Sequence, residues 1–67
     1  MPGPIAVKLR VLREQRGLTQ KEAAELAGVS RLTLYRLESG KQAFYMSTVT
    51  KIARAYGVPV EELAEGE

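Results

Sequence analysis

The stretch Gln20 to Ser39, QKEAAELAGVSRLTLYRLES, constrains the fold more than any other part of the chain. Thr19-Gln20-Lys21-Glu22 has the Thr-x-x-Glu form of a capping box, which starts a helix with Thr19 as its N-cap. Ala23, Ala24 and Ala27 then recur at helical spacing on one small-residue face. Gly28 ends that helix, because a residue just past a helix end often needs positive φ and glycine adopts it without steric cost. Val29 fills the corner. Ser30 is placed to cap a second helix whose inward positions are Leu34 and Leu37. Two short helices with alanine at their crossing can approach closely; a bulky side chain at Ala24 would push them apart.

These residues carry a resemblance. The stretch resembles the helix-turn-helix of phage repressors and Cro proteins, the XRE or Cro/cI-type regulators. That motif places a small residue at the crossing, here Ala24, and Gly four residues later, here Gly28. It places apolar residues where this chain has Ala23, Ala27, Val29, Leu34 and Leu37. Leu18-Thr19-Gln20, Glu38-Ser39-Gly40-Lys41 and Lys51-Ile52-Ala53-Arg54-Ala55-Tyr56-Gly57-Val58 extend the similarity over residues 5 to 64. The implied fold class is all-α: a compact five-helix bundle with a central helix-turn-helix, as in the lambda-repressor-like DNA-binding domain. The implied helix-helix angle is roughly 90–120°.

The bulk properties agree with one small domain over residues 1–67, with 1–4 and 65–67 frayed. Apolar residues make up 45% of the chain, enough for a helical core. Cysteine, histidine and aspartate are absent, which removes disulfides, thiolate zinc sites, thiol nucleophiles and the usual general base. The expectation is therefore no enzyme, no metal and no cofactor. Residues 1–60 hold all ten Lys and Arg against four Glu, a balance of +6, and the last seven residues hold the other four Glu. A basic body suits a nucleic-acid partner. No apolar run approaches a membrane span and no signal peptide is visible, so a cytoplasmic, nucleoid-associated protein is expected.

Outside the motif, Ile5 to Gln15 reads as the first helix, with Ile5, Leu9 and Leu12 inward and Val7 and Val11 on another face. Gly17 ends it. Family members often have Pro-Ser where this chain has Phe44-Tyr45, so the start of the fourth helix lacks its usual serine cap, and Ser47 is the candidate replacement. Phe44 is expected in the core. The fourth helix runs to Tyr56, with Val49, Ile52, Ala53 and Tyr56 inward, and Gly57 ends it. Val58 to Leu63 reads as a short fifth helix, with Pro59 in its first turn and Glu61 and Glu62 near its positive end.

The resemblance also assigns roles. The recognition helix is about 30–38, lying in the major groove of double-stranded DNA, where each base pair shows a distinct donor and acceptor pattern. Its outward side chains are Arg31, Leu32, Tyr35, Arg36 and Ser39, with Ser30 and Arg31 at the deepest end. Ser30, Arg31, Leu32, Tyr35 and Arg36 are the candidate base readers; arginine grips guanine O6 and N7, and Leu32 can meet a thymine methyl. Tyr35 and Arg36 can reach either bases or phosphates. Thr19, Gln20, Ser39 and Lys41 are the candidate phosphate contacts, with capping the alternative for Thr19. Arg13 and Glu38 correspond to a pair joining the first helix to the end of the third. Val58, Val60 and Leu63 are the candidate dimer interface, with closure of the core the alternative for Val58 and Leu63.

The function these roles imply is sequence-specific transcriptional regulation, with a repressor expected over an activator. A weak homodimer on an inverted-repeat operator is the expected form. The other reading is a protein-interaction module of the antitoxin or bridging-coactivator kind, for which Val7 and Val11 would serve. The chain is either complete or the DNA-binding piece of a longer protein.

Overall fold

The computed structural model describes residues 4–41 and 43–64. The described residues form five helices and no strand: α1 (Pro4–Gln15), α2 (Gln20–Ala27), α3 (Arg31–Glu38), α4 (Met46–Tyr56) and α5 (Val60–Ala64). The fraying expected at residues 1–3 and 65–67 lies outside the described residues, while Pro4 is already the first residue of α1. The all-α, five-helix expectation holds.

The local signals act as their chemistry dictates. The Thr19 hydroxyl accepts from the Glu22 N–H at 3.1 Å, and the Glu22 carboxylate accepts from the Thr19 N–H at 2.9 Å. Two N–H groups that the helix cannot bond internally are thereby satisfied. At the other end Gly28 sits at φ +74. An added Cβ there would meet nothing within 4 Å, so the constraint at Gly28 is its left-handed backbone rather than space. The Val29 N–H closes the turn on the Ala24 carbonyl at 3.0 Å. Ser30 opens α3 by accepting from the Thr33 N–H at 3.0 Å.

The core is built from unequal contributions. Leu9, Leu34, Leu37, Ile52 and Leu63 are fully buried, drawn from α1, α3, α4 and α5. Helix α2 contributes only Ala23, Ala24 and Ala27, so α3 packs against its backbone with little between. Ile5 and Leu12 extend the α1 stripe, while Val7 and Val11 stay exposed as their angular position requires.

Three expectations are corrected. Ser47 does not cap α4: Tyr45 is the N-cap, and it makes no side-chain cap hydrogen bond. Phe44, one residue earlier, packs on the core that holds Val49, four residues into the helix. These are the two positions of a hydrophobic staple, so apolar packing sets the helix start in place of a hydroxyl. Helix α5 begins at Val60, with Val58 and Pro59 before it; the Glu62 N–H reaches the Pro59 carbonyl at 3.0 Å. Leu63 is fully buried in the core and offers no surface to a partner. It closes the bundle, leaving half-buried Val58 and Val60 from the expected dimer patch.

Arg16 has a role that its position in the sequence did not suggest. Its Nε donates to the Tyr56 carbonyl at 2.7 Å and its Nη1 to the Leu12 carbonyl at 3.0 Å. The guanidinium lies over the Tyr56 ring, 5.7 Å from its centroid. It thus caps the Tyr56 carbonyl, the last of α4, and ties that helix end to α1. The Tyr56 hydroxyl is buried without a hydrogen-bond partner among the described residues. Burial first, and the Glu38 charge second, push its phenol up to about 12 against the opposition of Arg13 and Arg16. The folded state therefore holds this proton more tightly than the unfolded chain does. Its contribution is complete below the unfolded value near 10 and is lost as pH rises toward 12. Chemical denaturation at pH 9 and pH 11.5 should show a shallower loss of stability in Tyr56→Phe than in the parent.

Candidate nucleic-acid interface

Helix α3 divides into two faces. Leu34 and Leu37 are at most 1% exposed, which turns Arg31, Leu32, Tyr35 and Arg36 outward. Leu32 remains 55% exposed and Tyr35 46%. The expected base readers therefore share one solvent face, apart from Ser30. Its hydroxyl accepts from the Thr33 N–H and donates to Thr33 Oγ1 at 2.8 Å, so Ser30 acts first as a cap. Arg31, Leu32 and Tyr35 line one shallow depression with Gln20, brought in from the first turn of α2. The tight turn through Gly28 places these two helix segments side by side.

The expected phosphate contacts flank this face with different freedom. Lys41 is exposed just after α3, and its N–H bonds the Arg36 carbonyl at 2.9 Å, which fixes the turn that carries it. Thr19 is engaged in the capping box, its alternative role. The Ser39 hydroxyl donates to the Tyr35 carbonyl at 2.8 Å. The Gln20 side-chain nitrogen donates to Glu38 at 3.1 Å, a bond that the sequence does not announce.

That bond joins a network behind the exposed face of α3. Arg13 Nε donates to Glu38 Oε2 at 2.7 Å and Nη2 to Oε1 at 3.1 Å, a two-pronged ion pair between α1 and the end of α3. Arg13 Nη1 donates to the Leu18 carbonyl at 2.8 Å. The side chain of Glu38 is 4% exposed and that of Arg13 12%. The hydrogen bond to Glu38 raises the Arg13 pKa further, with desolvation opposing. Glu38 accepts only, so the amide of Gln20 must present its nitrogen to it; the amide orientation is settled by chemistry. One carboxylate thus ties together α1, the start of α2 and the end of α3.

A family profile described as a helix-turn-helix domain matches residues 4–66. The chain belongs to the XRE, or Cro/cI-type, helix-turn-helix family. Relatives of this chain include proteins named as HTH-type transcriptional regulators and repressors. The cryptic phage CTXphi transcriptional repressor RstR of Vibrio cholerae is 45% identical over 56 residues, 84% of this chain and 50% of that protein. An HTH_3 family transcriptional regulator from Vibrio cholerae superposes with a TM-score of 0.88 at 31% identity, over 97% of this chain and 36% of the other. The restriction-modification controller protein C.AhdI from Aeromonas hydrophila superposes with a TM-score of 0.86 at 30% identity, over 90% of this chain and 91% of the other. This family member spans half the length of RstR, and the match to C.AhdI runs nearly end to end. No helix among the described residues is long and apolar enough to cross a membrane.

Proposed function

We propose that this helix-turn-helix protein binds an inverted-repeat operator as a weak homodimer and represses transcription from it. Each copy sets α3 in the major groove. The observation that carries this reading is the α3 surface: two arginines, Leu32 and Tyr35 on one exposed face, on a helix anchored from behind by two buried leucines. Arg31, near the N-terminal end of α3, has the fork geometry to hold guanine, and Arg36 lies a turn and a half further on. Lys41 and the first-turn N–H groups of α2 at Gln20 fix the register on phosphates. Repression is supported by the likeness to RstR, a transcriptional repressor. Such a protein works in the cytoplasm, on the nucleoid.

Dimerisation follows from information content. One short helix reads few base pairs, and a genome offers a very large number of such sites. A two-fold pair reads two half-sites about 34–36 Å apart, one helical turn. With Leu63 committed to the core, the self-complementary patch rests on Val58 and Val60 beside exposed Glu61. So small a patch holds a weak dimer in solution that forms fully on DNA. Selection from a random duplex pool should yield an inverted repeat, and a titration should saturate at two chains per duplex. An optimal site consisting of one asymmetric half, filled by a single chain, overturns the dimer and leaves DNA binding intact.

A further inference from the structure

The depression between Gln20, Arg31, Leu32 and Tyr35 has a chemistry that phosphate contact leaves unexplained. Two of its four walls, Leu32 and Tyr35, present apolar surface and stand about half exposed. A branched aliphatic tip gains nothing from a phosphate. Among the groups on the major-groove edges of the base pairs, the C5-methyl of thymine is the apolar one. The depression is also held in shape before any ligand arrives. Its Gln20 wall is bonded to Glu38, and Glu38 is clamped by Arg13. Beside it stands Arg31, whose guanidinium can take O6 and N7 of a neighbouring guanine.

We infer that this depression seats the C5-methyl group of a pyrimidine next to a guanine held by Arg31, so that the protein responds to cytosine methylation. The inference rests on the DNA-binding reading above. A 5-methylcytosine carries its methyl at the same place on the groove edge as thymine does. Leu32 recognises the methyl itself, and either base satisfies it. Thymine and 5-methylcytosine differ in the neighbouring exocyclic group, which is an acceptor in one and a donor in the other.

The test uses the best duplex from random-pool selection. Each thymine of a half-site is replaced in turn by deoxyuridine, which removes only the methyl. Each cytosine is replaced in turn by 5-methylcytosine, which adds only the methyl. Binding is read by fluorescence anisotropy at fixed salt. At one position, uracil should weaken binding about fourfold, the effect of one methyl-sized group withdrawn from contact. With cytosine placed at that position, its methylation should restore binding by the same factor. Leu32→Ala should bring both ratios to about one. Its side chain is largely in solvent, so a thermal melt close to that of the parent checks that the fold persists. Methyl effects of equal size in the parent and in Leu32→Ala overturn the assignment to this depression. Specific binding with no methyl effect anywhere overturns the inference and leaves the DNA-binding reading standing. Failure to select any preferred duplex overturns both.

Discussion

Glu38→Ala should destabilise the domain by about 3–5 kcal/mol, the range for removing one partner of a buried ion pair. The geometry places the pair in that class. Both carboxylate oxygens are engaged, by Arg13 at 2.7 and 3.1 Å, and Gln20 adds a third donor at 3.1 Å. Glu38 is the buried charged residue of the core face of α3. Without it, the Arg13 guanidinium keeps only the Leu18 carbonyl and stays largely out of water. A domain of this size has roughly 0.05–0.15 kcal/mol of stability per residue, so the loss is a large share of the whole. Arg13→Ala should cost nearly as much, because it strands the carboxylate instead. The double variant Arg13→Ala, Glu38→Ala should be more stable than the sum of the single losses predicts, since neither charge is then left alone. Glu38→Gln retains an acceptor for Arg13 and should fall between parent and Glu38→Ala. Thermal and denaturant melts of the four variants decide the matter. Additive effects below about 1 kcal/mol are the signature of two solvated charges and would overturn it.

Local chemistry makes most of the fold legible in the sequence. The capping box at Thr19, the turn at Gly28 and the alanine face of α2 are each specified by residues within a few positions of one another. Interactions across helices are legible only in part. Arg13 and Glu38 pair through the family resemblance, and nothing in their linear spacing, 25 residues apart, specifies the contact. The bond from Gln20 to Glu38 and the bond from Arg16 to the Tyr56 carbonyl escape for that reason: a long side chain finds its partner only once the helix crossings are fixed. A signal for Arg16 does exist. A helix that ends at Gly57 leaves carbonyls to be satisfied, and an arginine elsewhere in the chain is a natural donor. Ser47 fails for the opposite reason. Its local preference for a cap is overridden by Phe44 and Val49, whose burial sets the start of α4.

Arg31→Ala should cost about 1–3 kcal/mol of discrimination in each half-site, lost at the base position Arg31 grips. In a two-chain complex the same substitution acts twice, so the selected inverted repeat should lose roughly 2–6 kcal/mol of affinity relative to random duplex. The fold should be unaffected, because the Arg31 side chain is exposed at the first turn of α3 and the cap at Ser30 does not depend on it. Lys41→Ala gives the contrasting pattern. A phosphate contact carries no sequence information, so all duplexes should weaken by a similar factor. Each chain also neutralises one phosphate fewer. The slope of log affinity against log salt should therefore fall by about one per chain. Binding isotherms on selected and random duplexes, at several salt concentrations, separate the two residues. If Arg31→Ala weakened both duplexes equally and lowered the salt slope as Lys41→Ala does, Arg31 would be a backbone contact. The reading of sequence would then fall to Leu32, Tyr35 and Arg36.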